Sequence, residues 1–171
     1  MTSAYRRYTT LWLALALQIP SAVCAQDNAA TADKAEDATP LVLPAAPTKD
    51  NLLPFYVSPS TTMNFAIDAP SVSVTTDGVV RFTLVITSAE GARNISHEGI
   101  RCATAERKLY ATGMADGSWS ASRNGAWSQI RDVGANRQYA ALFKDYFCDF
   151  SSVAGSAATI VKRIRQKKTL R

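Results

Sequence analysis

The chain has 171 residues, 47% of them hydrophobic and 19% charged, with a formal net charge of +5. That length and apolar content suffice for one domain with its own core. The positive balance sits at one end: residues 162–171 carry Lys162, Arg163, Arg165, Lys167, Lys168 and Arg171 with no acid, whereas residues 51–161 hold nine bases and nine acids. A neutral domain with a basic end lacks the broad cationic face of a nucleic-acid binder, so no nucleic-acid partner is expected.

In chain order, residues 1–25 read as a secretory signal peptide. Arg6 and Arg7 make a short positive region, Leu11 to Ile19 is an apolar run, Pro20 breaks it, and small residues lead to Ala25. The run is about half of what spans a bilayer, so no transmembrane segment is expected in the mature chain. Val23-Cys24-Ala25 suits cleavage between Ala25 and Gln26, which places the mature protein in a bacterial periplasm. The alternative is a membrane-anchored lipoprotein through Cys24, although Ser21 and Val23 fit a lipoprotein signal poorly. Arg6-Arg7 also admits twin-arginine export, but Tyr8-Thr9-Thr10 lacks the usual apolar pair.

Residues 26–50 are rich in Ala, Thr, Asp and Pro, carry five acids against two bases, and show no amphipathic period. They bury too little to offset their ordering entropy and read as a disordered spacer. The single domain is expected over 51–161. Asn51 to Val57 is a lead-in segment; Phe65 and Ile67 alternate in one short strand, Val72 and Val74 in the next. Asp77-Gly78 is a hairpin signal. Val79 to Thr87 is the clearest strand, with Val80, Phe82, Leu84 and Ile86 on one face and Arg81, Thr83 and Thr87 on the other. Asn94 to Cys102 reads as a strand bent at Gly99. Glu106 to Gly113 reads as another, with Leu109 and Ala111 on one face, and Trp127 to Ile130 as a last short one. Tyr139, Leu142, Phe143, Tyr146 and Phe147 then recur at helical spacing, with Asn136 as N-cap. The expected fold class is α+β: a small antiparallel sheet with one C-terminal helix. The strand alternation also allows a barrel.

The basic tail, residues 162–171, reads as a solvated terminus that aids solubility, or as a weak contact with an anionic surface. Ile160, Val161 and Ile164 have the spacing of a weak amphipathic helix.

Cleavage removes Cys24 and leaves Cys102 and Cys148, which in an oxidising compartment are most simply a disulfide. It would pin the helix end to the strand carrying Cys102 and contribute about 4 kcal/mol through loop closure. A reactive thiol or metal site is the rival reading. There is no C-x-x-C, and two cysteines with one histidine make a poor ligand set.

His97 is the one histidine, flanked by Ser96 and Glu98. Neighbours on a strand point to opposite faces, so the tripeptide is not a triad by itself, and a structural or surface role is the simpler reading. Glu98 and Glu106 are candidates for an acid/base pair, but more simply form ion pairs. Trp119, Trp127, Tyr110, Tyr139 and Tyr146 would line a groove or form the core, and Trp119, beside polar turn residues, is the best candidate for a ligand contact. The tentative site is therefore Trp119, His97 and Glu98. No cofactor or metal motif is read from the sequence.

The runs Val79 to Ser88, Gly91 to Cys102 (with Glu98-Gly-Ile-Arg-Cys102), Lys108 to Gly113, Asp116 to Trp119, Asn136 to Tyr139 and Asp145 to Cys148 resemble the cryptic neisserial protein family across roughly 53–149. The resemblance implies a small periplasmic or lipoprotein-like protein of proteobacteria with no established activity. It also implies that an aromatic usually stands at position 97, which weakens a catalytic case for His97. The layout is similar, without long shared motifs, to surface-adhesin protein E. The functional expectation is a non-enzymatic envelope module with a protein or cell-surface partner. The alternative is a small periplasmic enzyme or ligand carrier with a pocket uniting Trp119, His97 and Glu98.

Overall fold

The computed structural model describes residues 39–171; the expected export signal, Cys24, the expected Ala25–Gln26 cleavage point and the first part of the expected spacer lie outside the described residues. A 3₁₀ turn at Lys49–Asn51 leads into β1 (Leu52–Pro54), followed by β2 (Asn64–Val74), β3 (Val79–Thr87), β4 (Arg93–Arg101), β5 (Glu106–Gly113), β6 (Trp119–Ala121) and β7 (Ser128–Gln129). Strands β1 to β6 form an antiparallel meander in chain order, and β7 returns to pair with the start of β5. The antiparallel sheet is as expected, but β1 and β6 are its two open ends, so the barrel that alternation allowed does not form.

The hairpin between β2 and β3 turns at Gly78, whose φ of +78° suits glycine, and Thr75 Oγ1 accepts a bond from Val79 N at 3.0 Å. The two short strands read around Phe65 and Val72 are one strand with an irregular register between Asp68 and Ser73. Pro70 lies in this interruption and has no N–H to give to the ladder. Ser71 repairs the gap: its hydroxyl accepts from Thr83 N at 2.7 Å and donates to Asp68 O at 2.6 Å. A second irregularity sets His97 opposite Ala111 and Glu98 opposite Leu109, leaving Tyr110 as the extra residue on β5. Leu109 and Ala111 therefore do not share a face. At the bend, a Cβ on Gly99 would lie 2.9 Å from the Tyr110 ring, so glycine lets Tyr110 cross β4.

The single helix read from the sequence is a composite. A 3₁₀ turn (Gly134–Asn136) passes into α1 (Arg137–Ala141) and then a π-helical stretch, Leu142–Phe147. Asn136 stands at the N-cap position but makes no side-chain cap bond, because its own backbone belongs to the preceding turn. The widened π turn sets Phe147 edge-on to Phe82, with centroids 5.0 Å apart, and delivers Cys148 to the disulfide with Cys102, Cα–Cα 5.5 Å. A small hairpin of β8 (Cys148–Asp149) and β9 (Ser152–Val153) follows.

A second helix, α2 (Ala157–Arg165), closes the core. Ser156 caps it by accepting from Thr159 N. Its last turn carries Lys162, Arg163 and Arg165, favourably placed at the negative end of the helix dipole. Ile160 and Ile164, one turn apart, are fully buried. Arg163 donates to the carbonyls of Tyr146 and Ala154, and Leu170 N donates to Asp145 O at 2.9 Å. The segment from 162 onward is thus tied to the domain rather than frayed from it. The core lies between one sheet face, with Ile67, Val80, Phe82, Leu84 and Ile100, and the helical layer with Leu142, Tyr146, Phe147, Ile160 and Ile164.

Candidate functional site

The opposite face of the sheet is polar and aromatic, yet it is not exposed. Arg81 keeps 5% of its surface, Thr83 none, His97 2% and Tyr110 8%. Residues 39–47, which composition assigns to the spacer, run across this face as a strap. Arg81 Nη1 and Nη2 donate to the carbonyls of Pro40 and Thr39 at 3.1 and 2.9 Å, and Trp119 Nε1 donates to Pro44 O at 2.8 Å. Ala46 lies over Gly117, 3.6 Å from where its Cβ would stand. Between strap and sheet a recess of about 350 Å³ remains, lined by Pro40, Pro44, Ser71, Arg81 and His97 among others.

His97 and Trp119 meet beneath the strap, their rings edge-to-face with centroids 6.0 Å apart. His97 Nδ1 is 3.1 Å from Thr83 Oγ1, and Tyr110 lies on its other side. Burial, and then the positive charge of Arg81, push the imidazole down to about 4, so it is neutral at ordinary pH. Asp68, Thr83 and His97 follow one another in a cross-strand row. The Asp68 carboxyl is buried and its pKa raised by desolvation, against a lowering bond from Ser71 N. The guanidinium of Arg81 lies over Tyr110 at 5.3 Å, and its Nε is buried with no hydrogen-bond partner among the described residues.

Glu98, the third residue of the tentative site, lies elsewhere. It is paired across β3 with Phe82 and faces the helical layer. Tyr139 OH donates to Oε1 at 3.0 Å, Ser96 Oγ at 2.5 Å, and Arg107 Nη1 stands 3.6 Å from Oε2. Burial raises its pKa, partly offset by Ser96, Arg107 and Tyr139. One pocket therefore does not unite Trp119, His97 and Glu98: the first two are on the strapped face, the third beneath α1. Glu106 bonds Arg101 and Thr104, so it has partners of its own rather than Glu98. Trp127 is covered by Arg101, whose guanidinium carbon is 3.9 Å from the ring centroid. Tyr139 and Tyr146 belong to the core.

A second concavity of about 530 Å³ opens between the 57–63 loop and the start of α1. Its floor is Phe65, Ile86 and Met63, and Ser60, Arg137 and Gln138 stand at its polar edge. Sequence reasoning passed over this groove and the central role of Arg81. The only signal for the strapped face was Arg81 and Thr83 alternating with apolar residues, which marks a polar side and does not show that anything covers it. Among the described residues no group of three or more His, Cys, Asp or Glu is placed to hold a metal ion, and no helix is long and apolar enough to cross a membrane.

The family model described as the CNP1-like family matches residues 31–165, a span that takes in the described strap, the sheet, the bridged Cys102 and Cys148, and α2. No curated protein and no solved structure matches the chain.

Proposed function

Taking as premise that the chain belongs to the CNP1-like family, whose name carries no activity, we propose that it is an exported envelope protein that works by binding a partner rather than by catalysis. The observation that carries this reading is the separation of His97 and Glu98 onto opposite faces of β4. His97 is held neutral among Thr83, Tyr110 and Trp119, and Glu98 is bonded to Ser96 and Tyr139. Neither has the access or the shared geometry that proton transfer to a substrate requires. Export is supported by the order of charged, apolar and small residues at the N-terminus. It is supported also by the Cys102–Cys148 bridge, of a kind that persists in oxidising compartments. The exposed cations of the C-terminal segment, Lys162, Arg165, Lys167, Lys168 and Arg171, would add a weak attraction to anionic surfaces.

In-cell crosslinking of the envelope form, followed by affinity recovery, is expected to yield a specific partner. Recovery of nothing beyond a disulfide-free, unfolded control would refute the binding reading. Intact mass of the same material is expected to begin at Gln26; a diacylglyceryl mass on Cys24 would make it a tethered lipoprotein instead. The groove beside Arg137 favours a second reading, a carrier of a small amphipathic ligand, because its size is that of small-molecule sites. Native mass spectrometry of the envelope form would then show a bound adduct.

A further inference from the structure

We infer that the sheet face beneath residues 39–47 is a docking site for an extended, proline-containing peptide segment of another protein, and that the strap occupies this site in cis. The inference rests on the binding reading above and assigns it a surface and a partner class.

Four observations carry it. The first is how the strap is held. Its described hydrogen bonds to the face run from Arg81 and Trp119 to the main-chain carbonyls of Thr39, Pro40 and Pro44. Carbonyls are common to every peptide, so this mode of holding does not depend on the strap's own side chains. The second is the strap's composition. Pro40, Pro44 and Pro47 favour an extended chain whose ordering cost is already low, and an aromatic wall with hydrogen-bond donors is the physical complement of such a segment. Trp119 and Arg81, with Tyr110 beneath the guanidinium, supply that wall.

The third observation is the poverty of the strap's own anchoring. Leu41 is 40% and Val42 80% exposed and Leu43 is half-buried, so no apolar side chain of the strap is fully buried against the face. The fourth is incomplete fit. The recess of about 350 Å³ stays open beneath the strap, and among the described residues Arg81, almost fully buried, bonds only carbonyls and leaves Nε without a partner. A buried guanidinium is best satisfied by a carboxylate. A segment with an acidic side chain reaching Arg81 would therefore fill the site better than the strap does.

The strap competes as a tethered ligand at an effective concentration on the order of millimolar. A free peptide accordingly binds the native chain with an affinity reduced by the fraction of time the face is open. The test uses a fluorescein-labelled synthetic peptide, Thr-Pro-Leu-Val-Leu-Pro-Ala-Ala-Pro, and a version with glutamate in place of its first leucine. The receptors are the native chain and a full-length chain in which residues 39–47 are replaced by alternating glycine and serine. Fluorescence anisotropy is expected to show binding to the strap-replaced chain about tenfold or more tighter than to the native one, with the acidic peptide the stronger. Arg81→Gln and Trp119→Phe, introduced into the strap-replaced chain, are each expected to weaken it; the second only removes an N–H and keeps an aromatic ring in place. Thermal unfolding with the disulfide intact certifies that each receptor is folded.

A folded strap-replaced chain that binds neither peptide up to about 1 mM overturns the inference. So does equal binding by the Arg81→Gln and Trp119→Phe chains. A concentration-dependent dimer of the native chain with exchanged straps would assign the face to a second copy and overturn the partner proposed here. A crosslinked partner that contacts the Arg137 groove and not this face would leave the binding reading standing while this inference falls.

Discussion

Replacing His97 with phenylalanine isolates one titration that the fold has displaced. Phenylalanine is close in size to the imidazole, keeps a ring against Tyr110 and Trp119, and removes the proton site. In the unfolded chain a histidine takes up its proton near pH 6.5; in the folded chain burial and Arg81 hold it off until about 4. Between those values the unfolded state binds more protons, so stability falls as acid is added. The displacement is worth about 3 kcal/mol in full, and about 2 kcal/mol is already lost between pH 7.5 and pH 5. The groups facing the ring are Thr83 and Arg81 on β3, Tyr110 on β5 and Trp119 on β6, with Asp68 in the same cross-strand row. Asp68 and Glu98 have raised pKa values, so each acts in the opposite sense, with stability lost as pH rises through its own range. Both are present in the two proteins and cancel in the difference. Urea midpoints measured from pH 7.5 to 4.5 should therefore cross: H97F starts less stable, by about 1 kcal/mol for the partner lost to Thr83, loses less with acid, and is the more stable of the two by about pH 5. Parallel profiles across that range would refute the claim that the fold holds His97 neutral.

Two further outcomes test the frame of the domain. Replacing Cys102 and Cys148 together by alanine should lower stability by about 4 kcal/mol, the loop-closure value for a sequence separation of 46; calorimetric unfolding temperatures unchanged from the native protein would contradict it. Ile164→Ala should cost about 2–5 kcal/mol because the side chain is 1% exposed within the core, and a denaturant midpoint shifted by less than the equivalent of 0.5 kcal/mol would show the segment beyond residue 161 to be an appendage after all.

What the sequence disclosed follows from how local the signal is. The β3 strand was legible because Val80, Phe82, Leu84 and Ile86 alternate against a single apolar core, and the cysteine pair because two cysteines within one small domain, with no C-x-x-C and one histidine, have few alternatives. The π stretch was not legible: Tyr139, Leu142, Phe143, Tyr146 and Phe147 have α-helical spacing, which carries no mark of the wider turn that precedes Cys148. The β2 irregularity had a visible cause in Pro70, but its repair by the Ser71 hydroxyl is a tertiary contact. Arg81 and Thr83 were set on the polar side of β3, and alternation reports which side is polar, not whether something lies over it. The strap was misjudged for the complementary reason. Its prolines and alanines bury little of themselves, so composition called it disordered, while the donors that hold it belong to residues 41 or more positions away. Trp119 and His97 do lie ring to ring; Glu98 was joined to them by adjacency in sequence, which on a strand means opposite sides.

The meander runs in chain order, but the layer that covers its apolar face comes from residues 137–164, at the far end of the chain. A chain appearing from its N-terminus can therefore zip up six successive strands while Val80, Phe82, Leu84 and Ile100 remain bare. During that interval Cys102 is out and Cys148, 46 residues behind it, is not. The half-made protein is an apolar sheet bearing one unpaired thiol, the form most exposed to aggregation and to linkage with the wrong cysteine. Its safe maturation depends on how soon the last three dozen residues arrive, and a stop codon ahead of Cys148 would leave this hazard permanent.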